Sequence, residues 1–219
     1  MKLAIPYLHS AHDIGLPELQ SILDQLPAVP LSNTSWPKFN SACKAEMIIA
    51  HSKKDIFLKF NVSNDYFRTA ERKINGEVHR DNCVEFFIAF DRSGYYYNIE
   101  FNCLGIGKMA YGSEKGDRTL ADEATVQQIQ TLTIQDMEGE HFNWEMTWLV
   151  PAEVFIHQEI STFEGLQASG NFYKCGDDLP EPHFLTWNRI DAPAPDFHRP
   201  DCFGEIHFLA EADTINLVP

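Results

Sequence analysis

From about Cys43 onward, apolar residues recur at every second position, the spacing that places them on one side of an extended strand. In Ile56 to Val62, the set Ile56, Leu58, Phe60 and Val62 shares one side, and Phe57, Lys59 and Asn61 share the other, which reads as a half-buried strand. Val84, Phe86, Ile88 and Phe90 repeat the pattern, with Glu85 and Phe87 opposed. The run stops at Asp91-Arg92-Ser93-Gly94, a turn-forming cluster. A strand starting at Tyr95 then completes a hairpin. Gln128 to Ile134 and Phe142 to Leu149 also alternate, and Trp144, Met146 and Trp148 fall on one face and read as core.

The first forty residues follow a different period. After Gly15 and Pro17, residues Leu16, Leu19, Ile22, Leu23 and Leu26 share a helical face, with Pro17 suited to a first turn, so one short amphipathic helix is predicted. Pro27 to Pro37 reads as an irregular connection. The predicted organisation is a lead-in over 1–40 and one β domain over 41–219. Pro151 to Ile156 suits a single helical turn. Beyond Gly170 the chain is rich in aromatics, Pro, His and Asp without clear period, which predicts ordered loops laid over one end of the domain. Strands separated by short polar turns, with little helix after residue 40, predict an all-β antiparallel sandwich with jelly-roll-like connections.

Composition narrows the partners. Seventeen Lys and Arg against 32 Asp and Glu give a formal charge of −15, which repels a phosphate backbone and argues against nucleic acid. No run approaches the roughly 18 consecutive apolar residues of a membrane span, and the N-terminal residues lack the pattern of a secretory signal. Five scattered cysteines form no C-x-x-C pair, so neither a disulfide framework nor a zinc site is indicated. As the sequence stands, a cytoplasmic location is expected.

Candidate chemistry concentrates in two places. Tyr95, Tyr97, Ile99 and Phe101 occupy one side of the second hairpin strand, and Tyr96, Asn98, Glu100 and Asn102 the other, with Glu85 on the preceding strand near them. Amides and carboxylates in a row can donate to and accept from vicinal sugar hydroxyls; the same row also suits the solvated face of an antiparallel sheet. Asn is disfavoured in strands, so Asn98 and Asn102 need a reason. The second place is the C-terminal segment. There Trp187 could lie flat against a pyranose, with Asn188 beside it for a hydroxyl, or could instead plug the end of the sandwich. Trp36 carries the same ambiguity.

Arg80-Asp81-Asn82-Cys83-Val84-Glu85-Phe86-Phe87-Ile88, with Tyr97-Asn98-Ile99-Glu100-Phe101-Asn102 and Gly105, resembles the paired-strand motif of family 9 carbohydrate-binding modules. Asn171 to Asp177, Pro182 to Asn188 and Pro195 to Pro200 resemble the C-terminal signature of the subgroup common in gut Bacteroidetes. The likeness spans about Trp36 to Phe208. It implies a DOMON-like sandwich that holds a sugar chain end between two aromatic rings, with polar side chains reading hydroxyls and calcium supporting loops. By that likeness the leading ligand contacts are Glu85, Asn98, Glu100, Trp187 and Asn188, with Arg118 a further donor and Trp36 or Tyr173 a candidate second ring. Calcium, if bound, would be sought near Asp177 and Asp178. Non-catalytic carbohydrate binding is therefore the expected function.

Two rival readings remain. Glu85 and Glu100 could act as the acid and base of a glycoside hydrolase, which needs two carboxylates ~5–10 Å apart, although no G-x-S-x-G, H-E-x-x-H or P-loop is present. Some DOMON-like domains bind haem through Met and His; Met109, Met146, His79 and His141 are available, with no spacing that singles out a pair. His183, His198 and His207 with nearby Asp residues match no metal-ligand motif.

Overall fold

The structure is a computed structural model, and it describes residues 1–9, 14–139 and 141–214. Two sheets pack face to face. The strands are β1 (Lys2–Ile5), β2 (Val29–Pro30), β3 (Lys44–His51), β4 (Asp55–Asp65), β5 (Cys83–Ala89), β6 (Tyr96–Asn102), β7 (Gly107–Glu114), β8 (Asp117–Leu120), β9 (Gln130–Glu138), β10 (His141–Pro151), β11 (Gln167–Gly176), β12 (His183–Thr186) and β13 (Gly204–Phe208). Helices α1 (Leu16–Leu23), α2 (Glu123–Gln127) and α3 (Glu211–Thr214) are short. The large sheet runs β1-β13-β11-β5-β6-β7-β8, with β12 paired to β11, and the small sheet runs β2-β3-β4-β10-β9. All pairs are antiparallel except β1 with β13, which is parallel. The all-β sandwich expected from the alternation is thus present.

The inward sides are those the period of two picks out. Ile56, Leu58, Phe60 and Val62 meet Val84, Phe86 and Ile88, with Tyr97, Ile99, Phe101, Trp144, Met146 and Trp148, in one buried cluster. Phe86 stacks on Phe172 with ring centroids 4.7 Å apart. At the β5–β6 turn Gly94 has φ +86°, a left-handed conformation that glycine adopts without a Cβ clash. Burying side chains of this kind stabilises by roughly 1.5–3 kcal/mol each.

Three expectations need correction. The first forty residues are not a lead-in: β1 pairs with β13 and β2 with β3, so both belong to the sandwich. The strand β4 is not half-buried, because α1 lies over its outward side. Leu19 and Leu23 pack there on Ile48, Ala50 and Phe57, while Lys59, 2% exposed, reaches Asp24 and Glu145. Residues Gly170 to Gly176 are not loop; they form most of β11, in the middle of the large sheet. Both sides of that strand are buried, with polar side chains paired inside, so no alternation marks it.

Candidate functional site

The outward side of β5 and β6 carries Glu85 directly opposite Glu100, flanked by Phe87 opposite Asn98 and Cys83 opposite Asn102. None of these faces open solvent, because the chain after Trp187 folds back across them: Phe197 stacks on Tyr173 at 4.1 Å, and Phe203 meets Tyr96 edge-on. What remains is a hollow of about 410 Å³ lined by Glu85, Asn98, Glu100, Arg118, His79, Lys108, Lys115, Cys175, Asp177, Phe184, Asp196, Phe197 and His198, among others. That volume lies within the range of small-molecule sites, roughly 300–1,000 Å³. Two larger depressions, about 780 and 820 Å³, lie along the small sheet and along β1, β13 and β11, away from this acidic pair.

The polar groups of the hollow are held in a relay. Arg118 crosses the Tyr96 ring at 4.1 Å and donates to the carbonyls of Gly112, Tyr96 and Ala110 and to the Asn98 side-chain oxygen. Asn98 in turn donates to Glu100 Oε1 at 2.6 Å, and Lys108 Nζ lies 3.5 Å from the same oxygen. His79 Nδ1 lies 3.9 Å from Glu100 Oε2, and that oxygen and Arg118 Nε are buried without hydrogen-bond partners. One unused acceptor and one unused donor in a single relay leave hydrogen-bonding capacity for a ligand, since buried polar groups are otherwise almost always satisfied.

Electrostatics follow from burial. Glu85 Oε1 accepts from the Cys175 thiol at 3.1 Å. Desolvation, then the facing Glu100, pushes the Glu85 carboxyl well above the usual carboxylate range. Burial, assisted by Asp178, also raises Asp177. His198 accepts from or donates to Tyr96 Oη through Nδ1 at 2.8 Å; burial, with Arg118 adding to it, lowers its imidazole to about 3. The lining therefore mixes cationic, anionic and neutral polar groups with two phenyl rings.

Comparison with known proteins decides the family. The model of Carbohydrate-binding family 9 matches residues 16–208. The chain belongs to carbohydrate-binding family 9. Three solved structures share its fold. A Bacteroides uniformis ATCC 8492 protein, provisionally described as carbohydrate-binding, is 29% identical with a TM-score of 0.88, covering 94% of this chain and 98% of that one. A family 9 module from Caldicellulosiruptor kristjanssonii in complex with glucose aligns at 11% identity and TM-score 0.65, covering 99% and 100%. The module from the same organism in complex with cellotriose aligns at 10% and 0.62, covering 96% and 94%. No curated protein matches the chain.

Within this family 9 fold the residues expected to touch ligand separate into two groups. Glu85, Asn98, Glu100 and Arg118 converge on the hollow. Trp187 does not: it is 1% exposed, lies edge-on to Phe172, and leaves no room for a side chain on Gly204, whose added Cβ would sit 2.5 Å from the indole. The plug reading of Trp187 is the one the structure adopts. Asn188 is tied up elsewhere, donating to Cys202 O and accepting from the Met1 amino group. Trp36 is buried with its Nε1 donating to Ala192 O, and Tyr173 is sealed with its hydroxyl on Phe197 O. Trp36 and Tyr173 brace the covering segment, and Trp187 packs in the core between the sheets. The rings that do line the hollow are Phe184 and Phe197.

Asn102, which seemed to need a functional reason, has a structural one. Its oxygen accepts from the backbone N–H of Leu104 and Ile106, and its amide donates to Asp81, fixing the β6–β7 turn. Sequence reasoning missed Lys108, Lys115 and His79 as lining groups; Lys108 pairs directly with Glu100 across β6 and β7. Among the described residues neither Asp177 nor Asp178 belongs to a group of three converging ligands, and Asp178 Oδ2 already faces Arg80 at 3.6 Å. For haem, Met109 and Met146 are consumed by the core, while His141 is exposed. Among the described residues no helix is long and apolar enough to cross a membrane.

Proposed function

We propose that this family 9 protein binds carbohydrate, without altering it, in the hollow over β5 and β6. The observation that carries the reading is the Arg118–Asn98–Glu100 relay, which leaves a buried acceptor and a buried donor unused beside the Glu85 carboxyl. Vicinal hydroxyls need donors and acceptors in alternation, and this row offers both. Carboxylates and cations interleave around the hollow, so its lining suits an uncharged polyol better than a charged sugar. Phe184 and Phe197 supply the apolar wall that a sugar ring stacks on. A volume of about 410 Å³ suits a saccharide end or short oligosaccharide in preference to the middle of a polymer.

Turnover is disfavoured by the same geometry. Glu85 and Glu100 sit side by side on one sheet face, with Glu85 engaged by a thiol and Glu100 pinned by Asn98 and Lys108. Retaining hydrolases place the sugar between two carboxyl groups about 5–5.5 Å apart.

The test is a glycan array followed by calorimetry, with glucose and cellotriose as the first probes, given the solved relatives. Glu100→Gln and Asn98→Ala should each weaken binding by about 1.5–3 kcal/mol, the worth of a hydrogen bond to a charged group, while Glu100→Gln changes the melting midpoint little. Binding that survives both substitutions, or release of product from an oligosaccharide, would refute the assignment.

A further inference from the structure

Two cysteines that sequence spacing left unrelated, 92 positions apart by their numbers Cys83 and Cys175, are direct partners across β5 and β11. Both are buried, with Cys83 fully so. Glu85 lies two positions along β5 on the same side, and its Oε1 is 3.1 Å from Cys175 Sγ. One ligand atom from each of the three falls within 4.8 Å of the others. In a tetrahedral site with Zn–S near 2.3 Å and Zn–O near 2.0 Å, neighbouring ligand atoms are about 3.5–3.8 Å apart. The present upper bound of 4.8 Å leaves the three atoms within about 1 Å of that spacing.

A second observation points to the same place. Glu100 stands directly opposite Glu85 on β6, 2% exposed, with Oε2 lacking any hydrogen-bond partner. The Glu100 side chain lies beside the three-ligand group without belonging to it, and adds an acceptor to its surroundings. Cys175, Glu85 and Glu100 all line the hollow, which gives an ion a way in. Thiolate donors exclude Ca²⁺ and Mg²⁺ in favour of thiophilic ions.

We propose that Cys83, Cys175 and Glu85 bind a thiophilic divalent cation of the Zn²⁺ or Cd²⁺ class at the floor of the hollow. Binding replaces the two thiol protons and any carboxyl proton with the metal, so protons are released and no oxidant is consumed. The inference goes beyond carbohydrate binding and does not rest on it.

The test uses the full chain, reduced and freed of metal with a chelator, titrated with Cd²⁺. A thiolate-to-cadmium charge-transfer band should grow and saturate at one equivalent, with proton release. Cys175→Ser should weaken Cd²⁺ binding at least tenfold and diminish the band, while Cys43→Ala leaves both unchanged. Cys43 belongs to a separate cluster with Asp65 and His183, so a band lost in Cys43→Ala and kept in Cys175→Ser would overturn the assignment. Since Cys83 variants risk misfolding, alkylation of the unmodified protein gives a second measure: one equivalent of Cd²⁺ should protect Cys83 and Cys175 under mild denaturant. Absence of the band at saturating Cd²⁺, or equal alkylation with and without it, would end the proposal, whereas glucose and cellotriose titrations of metal-free protein report on the sugar reading separately.

Discussion

Two clusters of buried charge sit on opposite faces of the same large sheet, and they are built differently. On the inward side, Asp65 receives Lys174 Nζ at 2.9 Å, Asn82 Nδ2 at 2.8 Å, Trp144 Nε1 at 3.3 Å and the Tyr66 N–H at 2.8 Å. Lys174 also donates to Cys175 O and to His183 Nε2, both at 2.9 Å, and His183 Nδ1 faces Glu181 O at 2.9 Å. Burial alone would pull the Lys174 ammonium down, yet Asp65 holds it above its ordinary value. Burial would likewise lift Asp65, but Lys174 and then His183 bring it below the usual range. Charge there is matched and both Asp65 carboxylate oxygens are hydrogen-bonded. On the outward side, two acidic side chains, Glu85 and Glu100, face each other in register, the first with its carboxyl raised well above the usual range by burial and then by Glu100, the second keeping a vacant oxygen. A satisfied cluster specifies how strands meet; an unsatisfied one retains affinity for something else.

The contrast can be broken by substitution. The largest effect is expected from Asp65→Ala, which seals an unpaired ammonium inside the sandwich and should cost about 3–5 kcal/mol in urea unfolding. Adding Lys174→Met should recover part of that loss; a cost below about 1 kcal/mol for Asp65→Ala would show that the cluster is not the matched unit described. Trp187→Ala should come next, at roughly 3 kcal/mol, as for other large-to-small changes in a packed core. If Trp187 only plugs the sandwich, the more conservative Trp187→Phe should leave glucose and cellotriose affinities within twofold; a tenfold loss in a protein that still melts cooperatively would return the ring to the ligand site.

The smallest expected effect is in pH dependence. Burial, then Lys174, lowers His183 to about 4, and His198 lies near 3, against 6.5 for a free imidazole. A depressed folded value means the unfolded chain binds the proton first, so both residues contribute stability above about pH 6.5 that is lost as pH falls toward 4 and 3. His198→Asn should flatten part of that acid-side slope in melts recorded from pH 7 to 4. An unchanged slope would mean that His198 is more hydrated than its packing against Phe87 and Tyr96 implies.

Much of the fold was legible because its sheets obey simple periods. Ile56 to Val62, Val84 to Phe90 and Trp144 to Trp148 alternate since one side of each strand meets the core. The site was half legible: Glu85, Asn98, Glu100 and Arg118 come together, and the first three could be placed on one face from spacing alone. Trp187 and Asn188 misled, because an aromatic beside an amide in a loop-like segment looks the same whether the next fifteen residues leave it open or cover it.

By itself, the sequence determined which sides of the strands face inward, where the β5–β6 hairpin turns, and which family the motifs resemble. These are local properties, set by side-chain alternation, turn chemistry and short motifs. Only the tertiary structure decided that the segment after Trp187 folds over Tyr96 and Tyr173, that Cys83 faces Cys175, and that α1 turns the outer side of β4 into a second interior. Each of those depends on contacts between residues far apart in the chain, whose free energy comes from burial and pairing across sheets and leaves no periodic trace along either partner.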